Sequence, residues 1–170
     1  MLEVEVRQMA TAFLIHQDRV LMMKKAKSKI FHFEFWGGIG GHMEPNELNY
    51  PMEASYREIE EETGIKKDDI KNFKLNYILL ENNSGEIRQQ YVYFGETRHM
   101  NVRPSDEGEL YWISKNELSS LYTSKMIGLT LEHYLTHTNN TPNILLGAMM
   151  TNNESKPEIQ WSIINETFGF

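Results

Sequence analysis

The segment that most constrains the fold is Pro51–Thr63, PMEASYREIEEET, closed by Gly64. Proline is pre-set for the first position of a helix, and glycine is a left-handed stop signal. A helix over these residues follows, with Asn49 or Tyr50 at the cap, Asn being the better capping side chain. Inside it, Glu58, Glu60, Glu61 and Glu62 crowd together. At about 100° per residue, Glu61 lies about 60° to one side of Glu58 and Glu62 about 40° to the other. Glu58, Glu61 and Glu62 therefore share a face, while Glu60 lies about 160° away and goes to solvent. Like charges at i,i+4 cost a few tenths of a kcal/mol, and the dipole disfavours anions in the C-terminal half of a helix. Local physics gives this arrangement little support. A divalent cation would: three carboxylates on one face are hard oxygen ligands of the kind Mg²⁺ takes, alongside water and phosphate oxygens. The competing reading is an acidic, solvent-facing helix. Arg57, four residues before Glu61, is placed to pair with Glu61 or with Glu47.

The surrounding pattern sets the class. ATAFLIHQ (Ala10–Gln17) and RVLMMKK (Arg19–Lys25) read as two strands joined near Asp18. FHFEFW (Phe31–Trp36) alternates as a half-buried strand does. The glycine-rich WGGIGGHMEPNE that follows argues against a helix and lets backbone approach closely; one of its carbonyls is available to a metal. FKLNYILLEN (Phe73–Asn82) and EIRQQYVYFGET (Glu86–Thr97) flank a hairpin signal, and GELYWI (Gly108–Ile113) is a further short strand. Ser114 begins a brief helical turn through Leu118. SKMIGLTLEHYL (Ser124–Leu135) has helical spacing at Ile127, Leu131, Tyr134 and Leu135. The order predicts an α+β domain with a largely mixed sheet.

Composition excludes several classes. The chain has 170 residues, 40% hydrophobic and 24% charged, a globular profile suited to one ordinary domain. With no cysteine there is no disulfide framework and no thiolate chemistry, in keeping with a reducing cytosol. The N-terminus carries Glu3, Glu5 and Arg7 rather than the basic-then-apolar order of a signal peptide, and no run approaches the roughly 18 apolar residues of a membrane span. A cytoplasmic protein is the expectation. A net charge of -7 disfavours long nucleic acid but not a small phosphorylated ligand that arrives with a metal ion.

GHMEPNELNYPMEASYREIEEETGI resembles the signature of the Nudix hydrolases: Gly, five residues, Glu, seven residues, then Arg-Glu-apolar-any-Glu-Glu-any-Gly-apolar. Arg57, Glu58, Ile59, Glu61, Glu62, Gly64 and Ile65 match its second half at every fixed position, which chance gives in roughly one chain in 10⁵ at average residue frequencies. Gly41 and Glu47 match the first half. Nine residues rather than seven separate Glu47 from Arg57, the extra pair falling in ELNYP before the helix, and Ile39-Gly40-Gly41 stands where the family often has Pro-Gly-Gly. The resemblance covers about Ala10 to Leu135 and implies an α/β/α sandwich with the mixed sheet between helices. It also implies Mg²⁺- or Mn²⁺-dependent hydrolysis of a nucleoside diphosphate linked to another moiety. Glu58, Glu61 and Glu62 match the family's metal-binding and base-supplying glutamates, and the Gly40 carbonyl matches a common metal contact. Arg57 and Glu61 join Glu58 as expected catalytic residues, with Glu58 as the base.

Substrate is less constrained. In PSDEGELYW (Pro104–Trp112), Asp106 and Glu107 are candidates for an extra metal ligand or for base recognition, against a plain acidic turn. Trp36, Phe35 and Phe33 are candidates to stack on a base, against ordinary core positions, and Tyr91 and Tyr93 carry the same pair of readings. His16, His32, His42 and His99 show no paired metal spacing and read as structural. The subclass markers of ADP-ribose and dinucleoside polyphosphate hydrolases are missing: Leu80 and Asn82 stand in those places. The expected substrate is a (deoxy)nucleoside triphosphate, with oxidised purines such as 8-oxo-dGTP included. A nucleotide sugar and a non-catalytic nucleotide-sensing module are the alternatives. Residues 1–138 are expected to form the main domain and 139–170 an extension. Its hairpin, Asn143 to Asn165, has three open roles: extending the sheet, covering the core, or forming a homodimer contact.

Overall fold

The computed structural model describes residues 4–25, 34–137 and 143–165. β1 (Glu5–His16) is buried continuously from Ala10 to Ile15. A strand apolar on both faces needs cover on both. Along one edge β1 pairs in parallel with β6 (Glu86–Thr97), from Glu5↔Glu86 to Ile15↔Glu96. Its other edge is shared. β4 (Ile39–His42) runs antiparallel to it over Met9–Ala12, and β2 (Arg19–Lys25) joins at its end through Ile15↔Val20. β2 carries β3 (Phe35–Gly37) and β7 (Glu109–Ser114). β5 (Ile70–Asn83) forms the long hairpin with β6.

The period-two alternation assigns the two faces. Ala12, Leu14, Leu21 and Met23 pack with Ile39, Ile59 and Ile65 beneath α1 (Pro51–Thr63). Phe13, Ile15, Val20 and Met22 pack with Tyr77, Val92 and Phe94 against Met126, Ile127 and Leu131 of α2 (Lys125–Thr136). The two helices thus lie on opposite faces of a nine-stranded mixed sheet, the α+β sandwich expected from the sequence.

The predicted bounds of α1 hold at both ends. Pro51 opens it, and Gly64 closes it at φ 77°, where the Gly64 N–H donates to the Glu60 carbonyl. The cap position is Tyr50, with no side-chain capping bond. Ser124 does cap α2, accepting from the Ile127 N–H. Ser114 precedes the 3-10 turn Lys115–Ser120 without a side-chain bond. The expected strand Phe31–Trp36 lies partly outside the described residues, as do Phe33, His32 and most of the polar boundary 136–143.

The glycine run departs from a simple loop: Ile39–His42 is a strand. Gly40 adopts φ 144°, and a Cβ there would lie 2.0 Å from the Ala10 carbonyl oxygen, so the pairing of β4 with β1 requires glycine.

The C-terminal hairpin extends the sheet. β8 (Ile144–Thr151) pairs in parallel with β5 through Tyr77–Leu80, and β9 (Pro157–Ile164) closes the edge. It also covers the α2-side core, with Leu145, Met149, Ile159 and Trp161 packed there.

Candidate active site

α1 presents its acids very unequally. Its apolar anchors Ala54 and Ile59 are fully buried. Glu58 and Glu62 share that inner side, at 9% and 4% exposure. β4 lies against them. The Gly40 N–H donates to Glu62 Oε2 at 3.2 Å, and a Cβ on Gly41 would come within 3.0 Å of Glu58 Oε1. Glycine here makes room for a carboxylate. Glu60 is exposed, as its helical position predicts.

Glu61 is also exposed, its side chain 60% accessible, and Arg57 Nη1 holds its Oε2 at 2.8 Å. Three carboxylates were expected to converge; two are inward and the third lies on the flank, drawn to Arg57. Among the described residues no three carboxylates or imidazoles gather into a ready-made cage.

Arg57 is the hub. Its Nε meets Glu47 Oε1 at 2.7 Å, its Nη2 meets Glu47 Oε2 at 2.9 Å and Glu58 Oε1 at 3.0 Å, and its Nη1 holds Glu61. The two extra residues before the helix are absorbed in the turn, so Glu47 still reaches Arg57 with both oxygens. Its Oε2 also accepts the Glu44 N–H at 3.0 Å. The hydrogen bonds from Arg57 hold the Glu47 carboxyl below its usual range, against the opposing effect of burial. The same carboxylates push the Arg57 guanidinium further up.

The inner pair behaves oppositely. Burial raises Glu58, with Arg57 opposing. Burial pushes Glu62 up to about 8; the Lys25 charge opposes this, and the charges of Glu107 and Glu58 add to it. Oε1 of Glu62 is buried with no hydrogen-bond partner. An anion with an orphaned oxygen in apolar surroundings is costly. A hard divalent cation beside it would relieve both the desolvation and the repulsion from Glu58 and Glu107. The donor set of Glu58 and Glu62 oxygens beside Gly40 fits such an ion.

The remaining predicted residues divide. Glu107 approaches the glutamates: Lys25 Nζ pairs with its Oε2 at 3.3 Å, and its charge is felt at Glu62 and Glu58. Asp106 is exposed in the same loop. Trp36 sits on edge strand β3, half-buried against the α2-side core. Its ring stands edge-on to Tyr111 at 5.4 Å, and its backbone N–H donates to the Tyr122 carbonyl. Phe35 lines an apolar groove with residues of α2. Tyr91 and Tyr93 are packed with the α1-side core.

Two residues escaped the sequence reading. Lys25 shares the β2 face of Leu21 and Met23, so alternation alone pointed it toward α1. Arg103 had no local signal. Its Nη2 donates to the Glu60 and Glu61 carbonyls at 2.8 and 2.6 Å, and its N–H donates to the Thr63 carbonyl at 2.9 Å. It caps the C-terminus of α1 and ties the segment leading to Glu107 onto the glutamate helix.

This fold and this helix define a phosphoanhydride-hydrolase architecture, and comparison agrees. A family model described as NUDIX domain matches residues 6–130. The chain belongs to the Nudix family and is a hydrolase of pyrophosphate bonds. A search of curated proteins by sequence gives no significant match. Among solved structures, the mutator MutT protein from Bacillus halodurans is similar at 22% identity and TM-score 0.68, covering 95% of this chain and 99% of its own. A MutT NUDIX hydrolase from Burkholderia pseudomallei is 24% identical at TM-score 0.63, covering 76% and 98%. An Ap4A hydrolase from C. elegans, solved as a binary complex, is 15% identical at TM-score 0.59, covering 79% and 97%. Coverage of 95% requires the Bacillus match to run into residues 139–170, whereas the family model stops at 130.

Proposed function

We propose that the chain cleaves a (deoxy)nucleoside triphosphate, oxidised purines included, to the monophosphate and pyrophosphate, with Mg²⁺ or Mn²⁺ as cofactor. This is a nucleotide-pool sanitation activity, set in the cytoplasm. The observation that carries it is the buried Glu62 carboxylate, its Oε1 unpartnered, beside Gly40 and Glu58. Glu58, Glu61, Glu62 and the Gly40 carbonyl are the proposed metal contacts. The ion, when bound, would neutralise charge at the bridging phosphates. Glu58 is the proposed base: burial raises its proton affinity, which suits accepting a proton from the attacking water. The water oxygen bonds to phosphorus, and the phosphoanhydride P–O bond breaks in line. Arg57 positions Glu58 and Glu61 at once. Trp36, Asp106 and Glu107 are the proposed substrate contacts.

The partner is a small nucleotide, not long nucleic acid. No helix among the described residues is long and apolar enough to cross a membrane. Residues 1–138 are the proposed catalytic unit, with 139–170 packed on it. Solution mass with and without residues 140–170 tests whether the hairpin also mediates a homodimer.

The deciding experiment is a nucleotide panel with product analysis, run with Glu61→Gln and Glu62→Gln. Monophosphate plus pyrophosphate, lost in both variants, is expected. Sugar phosphate plus monophosphate would identify a nucleotide sugar as substrate, and tight binding without turnover would identify a sensing module. Activity surviving both changes overturns the mechanism.

A further inference from the structure

A second cleft, of about 570 Å³, lies at the far end of β1, lined by His16, Lys71, Glu96, Arg98, Lys115 and Tyr134 among others. Gly40 pairs with Thr11, and His16 is five residues further along the strand, so the cleft stands about 17 Å from the glutamate site at ~3.3 Å per residue.

Its charge is unusual for this chain. Among the described residues, Lys66, Lys71, Lys74, Arg98, Lys115 and Lys125 form no ion pair and no side-chain hydrogen bond. Three of these, Lys71, Arg98 and Lys115, line this one cleft. They come from β5, from the residue after β6, and from the turn after β7, so they are gathered by the fold and not by a local run of sequence. Carboxylates are at hand: Glu96 lines the cleft, and Asp18 accepts the Lys115 N–H through its carbonyl. Glu96 stands opposite Lys71 in the β5–β6 register, but neither carboxylate forms an ion pair with any of the three. Three cations against the one carboxylate that lines the cleft leave an excess of positive charge, and like charges repel; in a chain of net charge -7 they form a local sink for anions.

The walls are fixed. His16 Nδ1 donates to the Thr97 carbonyl at 2.9 Å, which fixes the ring. The Tyr134 ring stacks on Phe94 with centroids 3.6 Å apart. The volume is that of a small-molecule site and far exceeds one phosphate group.

We propose that this cleft binds a small oligophosphate anion, either inorganic pyrophosphate or the polyphosphate chain of a nucleotide. Lys71, Arg98 and Lys115 supply charge-assisted hydrogen bonds at a site separate from the α1 carboxylates. The site does not depend on the proposed hydrolysis.

The test is calorimetric titration of the full chain with pyrophosphate and, separately, with a nucleoside triphosphate, in EDTA so that no divalent ion serves the α1 carboxylates. Saturable binding by either anion, weakened at least tenfold in Lys71→Gln/Arg98→Gln/Lys115→Gln and unchanged in Glu62→Gln, is expected; the tighter anion identifies the source. Glu96→Gln removes the acid from the cleft and tightens binding severalfold. It guards against misfolding of the triple variant. No saturable binding, binding indifferent to the triple change and to Glu96→Gln, or binding lost in Glu62→Gln overturns the proposal.

Discussion

The two faces of the sheet are built to different ends from the same strands. On the α2 face, Phe13, Val92 and Phe94 meet Leu131, Met126 and Ile127, with Tyr134 stacked on Phe94. The polar groups buried there are uncharged and paired: Thr130 donates to the Met126 carbonyl, and the Tyr77 hydroxyl meets His133 Nδ1. On the α1 face, Ile59 and Leu14 build a comparable core, but the same helix also buries Glu58 and Glu62. The buried residues of α2, Met126, Ile127, Thr130 and Leu131, carry no charge, whereas in α1 burial is partly opposed by charge. Such a conflict between local cost and fold marks functional sites.

Two substitutions break this comparison most sharply. Glu62→Gln is expected to lower kcat by about 10³-fold while leaving the metal-free protein as stable as before or more so, because a neutral side chain suits that position. Pyrophosphate release and urea unfolding, measured on one sample, test the pair. Leu131→Ala should do the reverse: a loss of about 3 kcal/mol in unfolding free energy, with kcat per folded molecule unchanged. If Glu62→Gln destabilised as Leu131→Ala does, Glu62 would be a packing residue and the contrast would fail.

What the sequence revealed follows the same line. Signals acting within a few residues were legible. Pro51 and Gly64 gave both ends of α1, and the 100° step separated Glu60 from Glu58 and Glu62. Alternation in β1 and β2 implied a two-faced sheet. Contacts between distant residues were not legible. Nothing near Arg103 shows that it reaches back to the Glu60 and Glu61 carbonyls. Nothing in the spacing shows that Arg57 holds Glu61 on the flank while Glu58 and Glu62 turn inward. The glycine run read as close-approaching backbone, which it is, but its pairing with Met9–Ala12 as a strand depends on a partner some thirty positions earlier.

The raised Glu62 carboxyl gives the contrast a pH dependence. Its folded pKa of about 8 stands above its ordinary value of 4.5. The folded state therefore holds the proton more tightly than the unfolded state does. The contribution to stability is complete below pH 4.5 and is lost as pH rises through 8. Metal-free protein should lose on the order of 4 kcal/mol from this group between pH 5 and 9, and Glu62→Gln should remove that slope. Mg²⁺ should restore stability most at the alkaline end, where the carboxylate is ionised. A wild-type slope equal to that of Glu62→Gln would show that Glu62 titrates normally.

Arg103→Gln comes next in size. It removes two charge-assisted bonds to the last turn of α1 and a cation favourable to the helix dipole, for a loss of about 1 kcal/mol. Arg103→Lys keeps the charge without the fork and should recover part of it. Denaturant midpoints of the three proteins rank the effect.

The smallest effect is the most discriminating for the face assignment. Glu60 and Glu61 are adjacent and both exposed, but only Glu61 reaches Arg57. Glu60 sits near the helix C-terminus, where an anion is slightly unfavourable, so Glu60→Gln should stabilise by about 0.3 kcal/mol. It should leave kcat unchanged, since its side chain lies about 160° from Glu58. Glu61→Gln gives up an exposed i,i+4 pair worth about 0.5 kcal/mol or less, yet it should lower activity well beyond that. Equal activity in the two variants would mean that Glu61 serves only as a surface partner of Arg57, and that the working carboxylates of α1 are the two buried ones alone.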